Sequence, residues 1–220
     1  MSGFLGILFC GGRGRRLGKI TDYISKAFVP VFDRPVFQYA LEQLKAASHV
    51  EEILILTNEE NDQRLRRTGY ATLQQDDSRV HDMFSGLAFI RDTTGDGRPA
   101  VLIPCDNLSE IRVDDVIALF LEQKADMAIN IRRIEHAQKL RQMGVFDPRT
   151  ATMVYCPDKP RTDWGVIAPY VVAADLDLSG SMPELVAKYR TVWREYQGMW
   201  FDVGDPFQLA AANAWSLGQR

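Results

Sequence analysis

The chain is organised around residues 4–26, which read FLGILFCGGRGRRLGKITDYISK. A short apolar run passes into the glycine-rich turn Gly11-Gly12-Arg13-Gly14, and two further arginines and Lys26 follow. A buried parallel strand that ends in such a turn presents backbone N–H groups to a phosphate, because glycines permit close approach. Three arginines and a lysine near one turn indicate a polyphosphate ligand. The other interpretation is a tight turn that carries solvated basic side chains.

The chain beyond this stretch repeats the same strand–helix unit. Apolar runs typical of buried strands alternate with stripes of helical spacing. We expect strands at residues 4–10, 52–58, 69–73, 100–105 and 125–131, and helices at residues 36–47, 58–67, 79–90 and 113–124. This order predicts an α/β fold with a doubly wound, mostly parallel, Rossmann-like sheet. The less regular residues 136–220 are predicted to add a small inserted β region that faces the substrate.

Two acidic residues follow apolar strands of this pattern. Asp106 comes after the run VLIPC, and Asp202 comes after MWF. Ligands of parallel sheets bind beyond the carboxyl ends of the strands, so Asp106 is expected to face the same cleft as the glycine-rich turn. A carboxylate pair at strand ends is a usual way to hold Mg²⁺ with waters and phosphates. Each aspartate could equally serve as a helix N-cap or a turn residue.

Composition narrows the class of partner. The chain has 220 residues, a formal net charge of -3 and a sequence pI of about 5.7, so no global basic field favours nucleic acid or an anionic membrane. No apolar run approaches the ~18–20 residues of a membrane helix. The three cysteines form no CxxC pair, which is typical of reduced thiols, and we expect a cytoplasmic protein. One domain is expected over residues 1–220, with a homodimer left open.

Five short motifs, in order along the chain, resemble those of the sugar-1-phosphate nucleotidylyltransferases, the family that includes glucose-1-phosphate thymidylyltransferase. The GGxGTRL signature of that family corresponds to residues 11–17, and its lysine and proline-rich turn correspond to residues 26–35. Its GDN, EKP and WxDxG motifs correspond to residues 105–107, 158–160 and 200–204. Each motif alone is a weak signal, whereas the set spans nearly the whole of a chain that is short for the family.

The resemblance implies nucleotidyl transfer from an NTP to a phosphorylated small molecule, by default a sugar 1-phosphate, with Mg²⁺ as cofactor and pyrophosphate as the second product. Residues 1–135 would bind the NTP, and residues 136–220 would bind the acceptor and supply the second metal-binding aspartate. The residues and the resemblance together predict catalytic roles for Arg16 and Lys26, nucleotide binding by Gly11, Gly12, Arg13, Gly14, Arg15, Gln74 and Asp106, acceptor binding by Gly144, Asp158, Lys159 and Trp164, and metal binding by Asp106 and Asp202.

Both specificity pockets depart from the pattern of that family. Arg15 stands at the threonine of the signature, which makes the turn more basic. A glycine expected after the base-reading glutamine is replaced near Arg79, and the Thr-Gly pair on the sugar side corresponds to Ile167-Ala168. Two alternatives therefore stay open. One is a CTP-dependent cytidylyltransferase that acts on a phosphonate or another non-sugar phosphate, and the other is a catalytically silent nucleotide-binding regulatory subunit.

Overall fold

The structure is a computed structural model that describes residues 3–218. Its strands are β1 Phe4–Phe9, β2 Pro30–Val31, β3 Arg34–Pro35, β4 Val50–Thr57, β5 Ala71–Gln74, β6 Ala100–Pro104, β7 Asn107–Ser109, β8 Met127–Arg133, β9 Gly144–Asp147, β10 Thr152–Tyr155, β11 Trp164–Val172, β12 Thr191–Glu195 and β13 Trp200–Asp202. Its α-helices are α1 Val36–Lys45, α2 Glu59–Arg66, α3 Met83–Thr94, α4 Val113–Glu122, α5 Ala137–Leu140, α6 Met182–Lys188 and α7 Pro206–Gly218.

Nine of the strands in residues 3–218 form one sheet. It begins in the order β5-β4-β1-β6, and each neighbouring pair there is parallel. β11 follows β6 in antiparallel orientation, and β8 and then β12 continue the sheet on the other side of β11. β9 and β10 form a hairpin that pairs with the beginning of β11. In this sheet β10 and β11 run against the other strands, so the sheet is mainly parallel, as predicted.

Helices cover both faces of the sheet because the central strands bury both rows of their side chains. Successive residues of a strand point to opposite faces. In β1, Phe4 and Leu8 belong to a core cluster with α1 and α4, whereas Leu5 and Ile7 belong to a second cluster with α3 and α6. All four are at most 4% exposed. The apolar run of β1 is therefore continuous because it lies in a doubly wound sheet, and the predicted fold class is confirmed.

The helix α3 begins later than its apolar spacing predicted. Its N-cap is Asp82, whose Oδ1 accepts a hydrogen bond from the backbone N–H of Ser85 at 2.8 Å, while the Ser85 hydroxyl accepts one from the backbone N–H of Asp82 at 2.9 Å. This reciprocal capping box makes Met83 the first helical residue. The expectation of a helix from residue 79 is therefore wrong by about one turn, and residues 79–82 form a connection instead.

A second, two-stranded sheet joins the two halves of the chain at the edge where β1 and β6 end. It pairs β7 with β13 in antiparallel orientation and sets Asn107 opposite Asp202. The inserted β region predicted after residue 136 is the β9–β10 hairpin together with β11. Among the helices of residues 3–218, none is both long and apolar enough to cross a membrane.

Candidate active site

The glycine-rich turn starts where β1 ends and packs against Lys26. Gly14 lies in the left-handed region at φ 64°, and a Cβ on it would lie 2.8 Å from the Cβ of Lys26. Glycine is therefore required at this position both for conformation and for space. No described atom lies within 4 Å of the place that a Cβ on Gly12 would take. The turn thus contacts Lys26 on one side and leaves its backbone open to a ligand on the other.

Lys26 and Asp106 form a buried ion pair beside this turn. Lys26 Nζ contacts Asp106 Oδ2, and the two side chains are 15% and 7% exposed. Burial alone would raise the pKa of Asp106, but the charge of Lys26 and several hydrogen bonds outweigh it and hold that pKa well below its usual range. Burial would likewise lower the pKa of Lys26, yet the charge of Asp106 raises it. Both groups are therefore ionised at neutral pH.

Asp202 joins this pair through the sheet of β7 and β13. The backbone N–H of Val203 donates a hydrogen bond to the backbone carbonyl of Asp106 at 2.8 Å. The pairing of β7 with β13 sets Asn107 opposite Asp202, so the carboxylates of Asp106 and Asp202 line the same cavity. Burial and the negative charge of Asp106 raise the pKa of Asp202. The structure thus brings together two aspartates that the sequence singled out in separate motifs.

Two residues that no motif indicated, Lys139 and Gln142, also reach this cluster. Lys139 Nζ lies 2.6 Å from Asp202 Oδ2, and Gln142 Oε1 accepts a hydrogen bond from Arg16 Nη1 at 3.2 Å. Arg16 Nη2 lies 3.8 Å from the same oxygen of Asp202. Lys139 belongs to α5, a helix of four residues whose composition does not distinguish a site lysine from a surface one. The position of α5 after the carboxyl end of β8 is the one signal that could have indicated it.

A cavity of about 410 Å³ extends from this cluster toward the inserted β region. Its polar end is lined by Arg16, Lys26, Asp106 and Asp202. One part of its wall is apolar and includes Met83, Phe84, Met143, Met153, Val166, Ile167, Ala168 and Met182. His81, Asp82, Asn107, Gln142 and Tyr155 add polar groups to the lining. A concave cavity with apolar walls and a few convergent polar groups is typical of a site for a small molecule.

Of the two glutamines at the end of β5, Gln75 and not Gln74 faces the glycine-rich turn. Gln74 Nε2 donates a hydrogen bond to the buried Asp62 at 3.1 Å. The Gln75 side chain lies directly over Gly11 and leaves no room there for a Cβ. Consecutive residues at a strand end point to opposite faces, which explains the difference. The structure does not bring Gln74 to the turn. Gln75 instead lies beside the turn, where Gln74 was expected.

The arginines of the turn differ in their surroundings. Arg13 Nη2 lies 2.9 Å from Asp77 Oδ2, and Asp77 Oδ1 accepts a hydrogen bond from Gln75 Nε2 at 2.7 Å. This contact joins the turn to the segment after β5. Arg15 is exposed at the start of a 3₁₀ helix, Arg15–Asp22. Among the arginines of the turn, Arg16 is therefore the one that lies beside the carboxylates of Asp106 and Asp202.

The predicted acceptor-binding residues do not gather at one place. Gly144 lines the cavity beside Met153. Asp158 and Lys159 instead line a separate cavity of about 590 Å³ with Val145 and Val154. Because alternate residues of a hairpin point to opposite faces, this second cavity lies on the far side of the β9–β10 hairpin from Gly144.

Trp164 does not line the cavity either. Its ring packs in the core at 8% exposure, with the guanidinium of Arg133 at 4.4 Å from its centre. Its environment is thus that of a core residue covered by a cation rather than that of an open stacking platform.

The oxygens of Asp106 and Asp202 suit a hard divalent cation. In residues 3–218 no group of three or more histidine, cysteine, aspartate or glutamate side chains gathers as a closed metal cage. Mg²⁺ does not require one, because it keeps several waters and binds through one or two carboxylates together with substrate phosphates. The two adjacent carboxylates at the polar end of the cavity therefore fit Mg²⁺ in its usual phosphate-bound setting.

A glycine-rich turn, cationic side chains and two carboxylates meet at the carboxyl edge of the doubly wound sheet, which is where α/β proteins of this kind bind their ligands. The chain belongs to the family of the MobA-like NTP transferase domain, whose model matches residues 6–161.

The chain is similar to curated proteins of two archaea. It is 28% identical over 231 aligned residues to the low-salt glycan biosynthesis nucleotidyltransferase Agl11 of Haloferax volcanii. This alignment covers 94% of the chain and 64% of the relative. It is 21% identical over 236 residues to a bifunctional sugar-1-phosphate nucleotidylyltransferase/acetyltransferase of Sulfurisphaera tokodaii, which covers 96% of the chain and 55% of the relative. The chain thus spans a little over half to two thirds of the length of these relatives.

Solved structures share the fold over nearly the whole chain. A Bacillus anthracis protein provisionally assigned as a glucose-1-phosphate thymidylyltransferase, in complex with sucrose, superposes with a TM-score of 0.82 at 20% identity and covers 97% of this chain and 95% of its own. A UDP-glucose pyrophosphorylase complexed with UDP-glucose superposes with a TM-score of 0.78 at 17% identity and covers 99% of each chain. At these identities the similarity establishes the fold.

Proposed function

We propose that the chain catalyses nucleotidyl transfer from an NTP to a phosphorylated small molecule, with a sugar 1-phosphate as the first candidate acceptor. The observation that carries the proposal is the buried set of Lys26, Asp106 and Asp202 beside the glycine-rich turn. A subunit that merely bound a nucleotide would not need paired carboxylates at the phosphate end of its cleft. The named activities of the two archaeal relatives agree with the proposal.

The proposed reaction balances without a protein nucleophile. An oxygen of the acceptor phosphate attacks the α-phosphorus of the NTP. The bond from that phosphorus to the oxygen that bridges to the β-phosphate breaks, and pyrophosphate leaves with the electron pair. Both reactants are anions, so the site has to reduce their repulsion and hold them in line.

Arg16 and Lys26 would supply the fixed positive charge for this step. Lys26 remains protonated because Asp106 raises its pKa, and its packing against Gly14 holds it beside the turn. Arg16 lies 3.8 Å from Asp202 Oδ2 at the edge of the cleft, where its guanidinium donates a hydrogen bond to Gln142. The open backbone around Gly12 would bind phosphate oxygens through N–H groups.

Mg²⁺ is the proposed cofactor, and Asp106 and Asp202 are the residues that would hold it. When bound at such a site, Mg²⁺ neutralises the transferring phosphoryl group and orients it. The ionised state of Asp106, which Lys26 maintains, leaves that carboxylate ready for a cation.

Gln75 is the residue that we propose for contact with the base of the nucleotide. Its side chain lies over Gly11 at the carboxyl edge of the sheet, whereas the amide of Gln74 is held by Asp62. Met83 is the first residue of α3 and lines the cavity.

A second candidate acceptor is a non-sugar phosphate or phosphonate used with CTP. The observation that favours it is the apolar part of the cavity wall, where Ile167 and Ala168 of β11 offer no side-chain hydroxyl. Met143, Met153 and Met182 extend the same wall. A sugar requires several hydrogen-bonding partners, because buried hydroxyl groups are costly when unpaired. An acceptor with a compact apolar body would fit this wall better.

A screen of pyrophosphate release separates these candidates. The full chain is incubated with Mg²⁺, each common NTP and a panel of sugar 1-phosphates, phosphorylated alcohols and phosphonates. Pyrophosphate release with a sugar 1-phosphate supports the first candidate, and release with CTP and a non-sugar acceptor supports the second. Tight NTP binding without release from any pair would overturn both and favour a regulatory nucleotide-binding subunit.

A further inference from the structure

We propose that Lys139 competes with a divalent cation for Asp202, and so keeps the affinity of the nucleotide-free chain for that cation low. The inference rests on the proposed function, because it concerns the same carboxylates. It assigns a role to a residue outside all of the sequence motifs. Its consequence is that the cation enters the cleft together with the phosphates of the nucleotide.

The first step is the geometry at Asp202. Lys139 Nζ lies 2.6 Å from Asp202 Oδ2, and the two side chains are 12% and 17% exposed. The ammonium group also lies 5.7 Å from the centre of the Trp200 ring, which lines one side of its position. A cation coordinated by the same carboxylate would lie about 2 Å from an oxygen. The ammonium group and the cation would then be close neighbours of like charge in a largely enclosed place.

The second step is the charge balance of the cluster. Lys26 and Lys139 neutralise Asp106 and Asp202 one for one, and Arg16 adds a further positive charge 3.8 Å from Asp202. A divalent cation therefore meets surroundings that already carry a positive excess. Nucleotide phosphates reverse that balance, because they bring several negative charges to the same end of the cavity. Cation and nucleotide binding should therefore favour each other.

The third step is the choice of Lys139 rather than Lys26 as the competitor. The Cβ and Cγ atoms of Lys26 pack against Gly14, so the glycine-rich turn holds the stem of this side chain. Lys139 projects from α5, which has four residues, and its flexible stem allows the ammonium group to leave Asp202. Lys26 is thus the permanent partner of Asp106, and Lys139 is the exchangeable partner of Asp202.

The test measures Mn²⁺ binding to the full chain without nucleotide, by the electron paramagnetic resonance of free Mn²⁺. Lys139→Gln should bind Mn²⁺ at least about tenfold more tightly than the wild-type chain, since a unit charge a few ångströms away has at least this effect at an effective dielectric constant near 20. Lys139→Arg keeps the charge and should retain weak binding. Unchanged or weaker Mn²⁺ binding by Lys139→Gln would overturn the proposal.

A matched control removes another lysine from an ion pair outside the cleft. Lys188 Nζ lies 2.7 Å from Asp177 Oδ2 at the surface, and the Lys188 side chain is 48% exposed. Lys188→Gln makes the same change in net charge and should bind Mn²⁺ as the wild-type chain does. An equal gain of Mn²⁺ affinity in Lys188→Gln and Lys139→Gln would show a general charge effect and would also overturn the proposal.

A measurement on the unaltered chain covers the case in which Lys139→Gln fails to fold. Lysine acetylation followed by peptide mass spectrometry should show faster labelling of Lys139 at saturating Mn²⁺ than without metal, because the ammonium group leaves Asp202. An unchanged labelling rate would contradict the competition. Neither measurement needs turnover. A chain that releases no pyrophosphate with any acceptor would therefore overturn the proposed function and leave the Lys139 result to be decided separately.

Discussion

Asp106 neutralises a buried lysine and, in the proposed reaction, holds the metal ion, so one substitution there affects folding and chemistry together. Asp106→Asn leaves the charged Lys26 buried without its counter-ion, and such losses destabilise proteins by roughly 3–5 kcal/mol. It also removes a charged group that acts on the transferring phosphate, so kcat should fall by at least about a hundredfold. Urea unfolding and initial rates of pyrophosphate release measure the two effects.

A double variant separates the two contributions. Lys26→Met combined with Asp106→Asn leaves no unpaired charge in the pair, so the free energy of unfolding should return to within about 1–2 kcal/mol of the wild-type value. Turnover should stay lost, because neither the lysine charge nor the carboxylate is restored. Recovery of turnover in the double variant would mean that the pair has a purely structural role.

The contrast between Gln75 and Gln74 gives a second prediction at single residues. Gln75→Ala should reduce the discrimination between NTPs, measured as the ratio of their kcat/KM values, by roughly tenfold, because one base contact contributes about 1–2 kcal/mol. Gln74→Ala should leave that ratio unchanged. It should instead lower the free energy of unfolding by about 1 kcal/mol, since buried Asp62 loses a donor. The reverse pattern would return the base-reading role to Gln74.

At the scale of elements, the first turn of α4 holds the connection before β4. Asp114 accepts hydrogen bonds from the backbone N–H and hydroxyl of Ser48 at 3.0 and 3.1 Å, and from His49 Nδ1 at 2.9 Å. Burial alone would raise the pKa of Asp114, but these hydrogen bonds outweigh it and lower the pKa to about 2. The carboxylate therefore stabilises the folded chain when it is ionised.

This gives a pH dependence with a defined sign. The pKa of Asp114 is about 2 in the folded chain and near its usual value of about 3.9 when unfolded. The stabilisation is therefore present above pH ~4 and is lost as the pH falls toward 2. Asp114→Asn should lower the free energy of unfolding by up to about 2 kcal/mol at pH 6, and the difference should shrink at pH 2.5. Urea unfolding of both chains at the two pH values measures this difference in the free energy of unfolding. A difference that does not depend on pH would contradict the prediction.

The sequence predicted best those elements whose burial is simplest. β1, β6 and residues 53–57 of β4 are buried on both faces, so their apolar runs are continuous and were recognised. β12 was not predicted, because every residue of TVWRE keeps some exposure and the strand exists through its pairing with β8. The strand β7 has three residues and depends in the same way on β13.

The same distinction holds for the site. Asp106 and Asp202 were predicted because each follows an apolar strand, and strand ends converge by a general rule. Gln74 and Gln75 point to opposite faces at the end of β5, and only Gln75 faces the turn. The polar sequence around them does not indicate which side chain points to which face. Lys139 reaches Asp202 from α5 through tertiary packing. The residues next to Lys139 in the sequence do not indicate that contact.

At the scale of the whole molecule, the predicted NTP-binding and acceptor-binding halves share one sheet. β11, from the second half, lies between β6 and β8 of the first half and pairs with both. Asn130, on β8, donates a hydrogen bond to the backbone carbonyl of Pro169 at 2.7 Å in the interior. Without β11, residues 1–135 would therefore lose the strand that connects β6 with β8. We therefore expect the two halves to behave as one cooperative unit.

This architecture predicts that the two halves unfold together. All four tryptophans, Trp164, Trp193, Trp200 and Trp215, lie in residues 136–220, so fluorescence reports the second half, whereas circular dichroism near 222 nm also reports α1 to α4 of the first. Urea transitions followed by the two signals should coincide.

A fragment of residues 1–135 should fail to fold, because β6 and β8 would expose unpaired edges. A fragment of residues 1–205 keeps all nine strands of the sheet and should fold. Separate transitions, or a folded fragment 1–135, would show that the halves are independent.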